Sequence, residues 1–396
     1  MITFKEAYQK VLEHTLDLGD EKVPLLESMH CVLAEDITAD RDFPPFDRAT
    51  KDGIAISFSN LANQNHEFTL EGDAAAGMPQ QTLKNANNCL EVMTGAVVPK
   101  NTDTVVMYEH ITISNGKAII NENVVKGQNI HYQGSDEKQG VTILKKGVVI
   151  SPAEIGVMAS VGKDFVKVKT FPKVCTISTG DELVDVDSTP EPHQIRKSNT
   201  FSLQAALSQL TIYAETIHLL DDKQRIEEGL KNALRENDVL LLSGGVSKGK
   251  FDFIPEVMED LGVEKIFHRV AQRPGKPFWF GIQRELKTVI FSFPGNPVST
   301  FANYHLYFLP WLHTSWDILV VQNFAKLAVE LEIKSPLTRF IQVKIDRREA
   351  TLWARPVTEN GSGDLTSLAK ADGFICLEPR EEVYRVGELV LFVGTR

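Results

Sequence analysis

Three short stretches carry the hydroxyls, glycines and carboxylates from which an anion site can be built, and each follows an apolar run. Ser178-Thr179-Gly180-Asp181-Glu182-Leu183 follows Val174–Ile177. Its small residues let backbone N–H groups approach an anion, and its two carboxylates could hold a metal ion. Ser243-Gly244-Gly245-Val246-Ser247 follows Val239–Leu242, with Asp252 a few residues on. Pro294-Gly295-Asn296-Pro297-Val298-Ser299 follows Val289–Phe293 and opens an apolar segment whose first turn would present a helix N-terminus to an anion. Between the second and third stretches lie Lys265, His268, Arg269, Arg273 and Lys276, around Pro274-Gly275-Lys276-Pro277. Arginine suits bidentate recognition of an oxyanion and lysine supplies a point charge. A single glycine-rich turn can be only a turn, and basic residues are commonplace on solvated strand edges. Three such loops with a basic group between them read together as the site of a phosphate-bearing ligand.

Positioning these loops is the task of the stretch from about Pro172 to Leu312. Val174–Ser178 and Glu215–Leu220 read as strands, Phe201–Leu210 and Lys223–Arg235 as helices, and Val239–Leu242 as a buried strand. Such alternation predicts a largely parallel sheet covered on both faces, whose ligands bind beyond the carboxyl ends of its strands. Ahead of it, Thr3 and Glu6 have capping-box spacing, and Phe4, Ala7, Tyr8, Val11 and Leu12 recur at helical spacing. From about Asp42 to Gln133 the texture is short β-type runs, with Asn115-Gly116 marking a tight hairpin. A helix-like segment follows near Ala153–Val161, and beyond about Asn323 the pattern returns to β, with Phe340, Gln342 and Lys344 alternating with Ile341, Val343 and Ile345. The expected organisation is a multidomain α/β chain. Residues 1–41 and 140–170 form a helical linking region, 42–139 a β-rich insertion, 171–320 the α/β domain and 321–396 a C-terminal β-barrel-like domain.

Two further motifs lie in the β-rich insertion: Pro44 to Ala55, containing Asp52-Gly53, and Met93-Thr94-Gly95-Ala96. Asp-Gly and Thr-Gly are turn dipeptides, and spacing alone assigns no catalytic role to Asp52 or Thr94.

Composition narrows the field. The 396 residues carry 53 acidic and 42 basic side chains, a formal charge of −11. A net acidic chain is a poor general nucleic-acid binder, so any anion must sit in a local basic pocket. The four cysteines are far apart and form neither a zinc pattern nor a disulfide framework. No stretch approaches the ~20 apolar residues of a membrane span, and MITFKEAYQK has no secretory-signal character. A cytoplasmic protein is expected, with no nucleic-acid or membrane partner.

Taken in order, PPFDRATKDGIA, MTGAVVPKNTDTVVMYE, GSDEKQG, STGDELV, QIRKSN, LLSGGVSKGKFD, RPGKP and FPGNPVS resemble the molybdopterin molybdenumtransferases, the molybdenum-insertion family that includes the E domain of gephyrin. The resemblance runs along essentially the whole chain. It implies an elongated homodimer with an α/β molybdopterin-binding domain, and a Mg2+-dependent reaction on adenylylated molybdopterin and molybdate that inserts the metal and releases AMP. The protein that adenylylates molybdopterin and the recipient molybdoenzymes are the implied protein partners. Carried over by motif, Asp52, Thr94, Asp136, Glu182 and Asp252 would act in catalysis, and Glu182, Asp221 and Asp252 would hold Mg2+. Ser178, Thr179, Gly180, Ser243, Gly244, Gly245, Ser247, Pro294, Gly295, Asn296, Pro297 and Ser299 would contact substrate, with Arg269, Arg273 and Lys276 as anion-binding bases. The chain departs from the family at Arg48-Ala49-Thr50-Lys51, where Asn-Ser-Ala-Met is usual. Two other classes share parts of this pattern. A hydrolase on the same α/β fold would need only the glycine loops, and a dimeric scaffold would need a peptide groove that no motif marks.

Overall fold

The computed structural model describes residues 1–63, 65–246 and 253–396. It contains two compact units: Lys22–Met29 with Leu33–Lys167, and Met1–Glu21 with His30–Val32 and Val168–Arg396.

In the second of these, the α/β sheet forms where the apolar runs place it. Its elements in chain order are β1 (Val174–Thr179), α1 (Asn199–Ser208), β2 (Glu215–Leu219), α2 (Lys223–Glu236), β3 (Val239–Ser243), α3 (Ile254–Asp260), β4 (Glu264–His268), β5 (Trp279–Gln283), β6 (Thr288–Phe293) and α4 (Pro297–Asn303). The sheet order is β2-β1-β3-β6-β5-β4. The first four strands are parallel; β5 alone is reversed, pairing antiparallel with β6 on one side and with the edge strand β4 on the other. That edge departs from a wholly parallel sheet because the turn from β5 to β6 is too short for a helical crossover, so those strands can pair only antiparallel.

The uninterrupted apolarity of β3 follows from burial on both faces. Val239 and Leu241 pack in one layer with Leu203 and Leu207 of α1. Leu240 and Leu242 pack in the other with Ile226 and Leu230 of α2 and Val257 and Met258 of α3. Each such leucine contributes ~1.5–3 kcal/mol by leaving water. The start of α2 is fixed by Asp222, whose side chain accepts from the Arg225 N–H at 2.9 Å. Following the PGNP turn, α4 continues through a π turn at Tyr304–Phe308 into the helix Leu309–Ser315. The widened turn lies just ahead of Pro310, which has no N–H to return to the preceding carbonyls.

The N-terminal helix Phe4–Leu12 has the expected Thr3–Glu6 capping box. Its Ala7 and Val11 are buried in the α/β core, and the Phe4 ring lies 4.9 Å from that of Phe340. It therefore groups with the α/β unit rather than with residues 140–170 as expected. Helical spacing identifies an apolar face but not the surface that covers it.

The strands Asn323–Leu327, Thr338–Arg348, Thr351–Pro356, Gly373–Leu377 and Leu389–Gly394 pair in a closed ring. Ile341, Val343 and Ile345 point into this barrel, whereas Phe340 turns to the α/β core.

In the other unit, the strands Thr104–Met107, Gly53–Ile56, Asn88–Val92, Glu67–Ala74, Lys117–Ile120 and Ile111–Ser114 form one sheet in that order. The Asn115–Gly116 hairpin joins its last two strands. Apolar packing lies on both faces, around Ile54, Phe68 and Val106 on one and Ala55, Val92 and Val105 on the other. Among the described residues, no helix is long and apolar enough to cross a membrane.

Candidate active site

The loops after β1, β3 and β6 converge at the carboxyl edge of the sheet, where the chain reverses its direction of travel between β1 and β3. They enclose a cavity of about 600 Å³. Ser178, Thr179, Gly180 and Glu182 line it from the first loop, Ser243, Gly244 and Gly245 from the second, and Pro294, Gly295, Asn296 and Pro297 from the third. Asp221, just beyond β2, also lines it, and its N–H donates to Asp181 Oδ1 at 3.0 Å.

Close backbone approach explains the glycines. Gly244 has φ +107°, and a Cβ there would lie 2.8 Å from Thr179 Oγ1 and 3.1 Å from the Thr179 carbonyl oxygen. A Cβ at Gly180 would run into the Glu182 carboxylate, which folds back over the turn. Asn199 ties two loops together: its Nδ2 donates to Ser243 Oγ at 2.8 Å and to the Gly295 carbonyl at 2.7 Å. Thr300 Oγ1 secures the third loop by donating to the Pro294 carbonyl at 2.6 Å.

The local positive charge differs from the expected one. Arg196 and Lys197 line the cavity; Arg269, Arg273 and Lys276 do not. Lys197 Nζ lies 2.7 Å from Asp185 Oδ1, and Arg196 Nε donates to the Ser188 carbonyl at 3.0 Å. The Pro274-Gly275-Lys276-Pro277 turn brings only Pro277 to the lining, leaving Arg273 and Lys276 exposed. Gly275 is held against Gln272 and Asn303, whose side chains bond each other at 2.9 Å. Arg269 is half-buried, with its N–H donating to the Phe278 carbonyl at 2.8 Å. Arg273 sits in register beside Arg339. Arg339 Nε is buried without a hydrogen-bond partner among the described residues, and burial followed by Arg273 pushes its guanidinium below the usual range. Ser299 is buried on α4 and does not line the cavity, because its side chain falls on the inner face of the helix. Ser247 and Asp252 lie outside the described residues.

Sequence reasoning had not singled out Asn199, Arg196, Lys197 or Arg339. The QIRKSN motif contained the first three. Arg339 was hidden by its distance in sequence from Arg273.

The β-rich unit holds a separate polar arrangement. Asp52 Oδ1 accepts from the Thr94 N–H at 2.6 Å and from Thr94 Oγ1 at 2.8 Å. These bonds, the backbone one first, hold its carboxyl below the usual carboxylate range. The neighbouring Gly53 is required because a Cβ there would meet the Val106 carbonyl of the adjacent strand. Asp136 Oδ1 lies 2.7 Å from His131 Nε2, and Arg48 Nη2 lies 3.1 Å from His131 Nδ1. Arg48 is thus the cross-strand neighbour of His131. A guanidinium only donates, so Nδ1 accepts and Nε2 carries the proton directed at Asp136.

Residues 2–162 match the MoeA N-terminal region (domain I and II), 175–314 a probable molybdopterin binding domain, and 325–393 the MoeA C-terminal region (domain IV). Over 396 residues the chain is 39% identical to a molybdopterin molybdenumtransferase of Synechocystis sp., covering 99% of each. A molybdopterin molybdenumtransferase of Bacillus subtilis is 31% identical over 98% of this chain and 93% of its own. The crystal structure of the molybdopterin biosynthesis MoeA protein from Pyrococcus horikoshii OT3 aligns with a TM-score of 0.84 at 28% identity, covering 100% of both chains. With two MoeA regions flanking a probable molybdopterin binding domain and a full-length relative at this identity, the chain belongs to the MoeA family of molybdopterin molybdenumtransferases, transferases of molybdenum cofactor biosynthesis.

Proposed function

We propose that this protein transfers molybdenum from molybdate to adenylylated molybdopterin with release of AMP, acting as a homodimer. The observation that carries the reading is the meeting of the STGDE, SGGV and PGNP loops around one cavity at the switch point of the sheet. Its lining suits a pyrophosphate-linked ligand: close-approach glycines, hydroxyls and two basic side chains on one wall.

Glu182 and Asp221 both line this cavity, a donor set of the size Mg2+ takes beside substrate phosphates. Among the described residues no three such side chains cluster, so the phosphates would complete the coordination, with Asp252 as a further proposed ligand. Bound there, Mg2+ would neutralise charge on the phosphoanhydride. Arg196 and Lys197 would orient the phosphates, and Asn199 would hold the second and third loops in place. Arg273, in register beside Arg339, would offer guanidinium groups suited to the molybdate oxyanion, and the exposed Lys276 would add a further charge. In the β-rich unit, Thr94 would keep Asp52 ionised and His131 would donate to Asp136. Molybdate oxygen can attack phosphorus, so no protein nucleophile is required.

Incubation with adenylylated molybdopterin, molybdate and Mg2+, scored by chromatography for AMP, tests the reading. Molybdate-dependent AMP release is expected. AMP release indifferent to molybdate would identify a hydrolase instead, and none at all would refute the proposal.

A further inference from the structure

His218 belongs to none of the motifs, yet it stands at the end of the row that floors the cavity. Ser178 on β1 is in register with His218 on β2 and with Ser243 on β3, so the three side chains share one face of the sheet. His218 Nδ1 lies 2.9 Å from Ser178 Oγ. His218 Nε2 is buried and has no hydrogen-bond partner among the described residues. Burial, followed by the charge of Lys197, lowers the affinity of the ring for a second proton, so it is neutral at neutral pH.

A neutral ring carries one proton, which leaves two arrangements. If Ser178 donates to Nδ1, the proton is on Nε2 and a buried N–H is left with no acceptor, a rare and costly state in folded proteins. If Nδ1–H donates to Ser178 Oγ, only a lone pair is left unpaired on Nε2, and the serine hydroxyl proton is released. Ser178 lines the cavity, so that proton becomes available to a ligand oxygen.

We infer that His218 is a positioning residue for the phosphate site: its Nδ1–H donates to Ser178 Oγ and thereby makes the Ser178 hydroxyl a donor to an anion in the cavity. The inference rests on the reading that this cavity takes the phosphates of an adenylylated substrate. It adds a residue that acts without touching the ligand.

Two measurements on the full chain test it. In 15N-histidine-labelled protein, the His218 resonances are assigned by their loss in His218→Gln. They are expected to show the proton on Nδ1, and a proton on Nε2 overturns the inference. In the second measurement, AMP is titrated calorimetrically into the parent, His218→Leu, Ser178→Ala and the double variant. Each single change is expected to weaken AMP by roughly fivefold, the worth of one hydrogen bond. His218→Leu should add nothing in the Ser178→Ala background. His218→Gln, which retains an N–H donor, should bind closer to the parent than His218→Leu does. A His218→Leu loss that persists undiminished without Ser178, or no loss at all, refutes the positioning role while leaving the cavity reading intact. Parent protein that does not bind AMP refutes both.

Discussion

Replacing Gly244 by alanine perturbs the point where the first two loops touch, and its cost divides into two separable parts. At φ +107° an L-residue is strained, and a Cβ would stand 2.8 Å from Thr179 Oγ1 and 3.1 Å from the Thr179 carbonyl oxygen. Holding a non-glycine residue in such a backbone region costs ~1–3 kcal/mol. Displacing a packed neighbour costs a similar ~1–3 kcal/mol. Gly244→Ala is therefore expected to destabilise the α/β unit by at least ~2 kcal/mol, a fall of ~4 °C or more in melting temperature for a unit of this size. Thr179→Ala removes Oγ1 but neither the carbonyl nor the backbone strain, so in that background the cost should shrink without vanishing. Scanning calorimetry of the four proteins measures both parts. AMP affinity, read by titration, should fall at least tenfold in Gly244→Ala, about 1.4 kcal/mol, because the loop must move away from Thr179. A Gly244→Ala protein within ~0.5 kcal/mol of the parent, as for ordinary surface changes, would show that the two loops do not meet in this way.

Glu182→Gln should lose most AMP-releasing turnover while its stability stays within ~0.5 kcal/mol of the parent, as expected of a surface carboxylate without a structural role; turnover and calorimetry on one preparation decide it. His305 is buried, and its ring is pushed down to about 4 by that burial. The unfolded chain takes up this proton below its ordinary value of 6.5, so stability should fall as the pH drops from there towards about 4. His305→Phe should flatten that limb in melting temperatures taken across the window. Asp52 is more acidic folded than unfolded, so its stabilising contribution is present above the usual carboxylate range and is lost as the pH falls through its folded value. Thr94→Val removes the Oγ1 bond but keeps the backbone one, and should shift the acid limb of turnover and the Asp52 13C titration to higher pH.

The sheet and its three loops were legible because their signals are local. Val239–Leu242 announces a strand buried on both faces, and a glycine after such a strand announces a turn at its carboxyl end. The capping box at Thr3 and the Asn115–Gly116 hairpin were legible for the same reason. What sequence could not supply was the pairing of distant faces. Ala7 and Val11 mark a stripe that residues far along the chain cover, and Arg339 meets Arg273 only through strand register. The basic cluster shows a related limit: Arg273 and Lys276 are near a lining residue in sequence, but the turn directs them away from the cavity. Asp52 and Thr94 looked like ordinary turn residues because the bonds joining them cross between loops.

The contact between Phe4 and Phe340 has a temporal meaning on the ribosome. Chains emerge from the N-terminus at roughly 5–20 residues per second, so the first helix leaves the ribosome roughly 15–70 s before its most distant ring neighbour is made. The β-rich unit, Lys22–Met29 with Leu33–Lys167, is complete in the nascent chain well within that interval and has apolar packing of its own. Helix Phe4–Leu12 lies against Tyr304–Phe308 and Leu309–Ser315, so the apolar stripe of Ala7 and Val11 lacks that surface until those residues are made. The newborn chain therefore carries an uncovered apolar stripe through most of its synthesis, and the strand holding Phe340 adds to a docking surface that Tyr304–Ser315 begins.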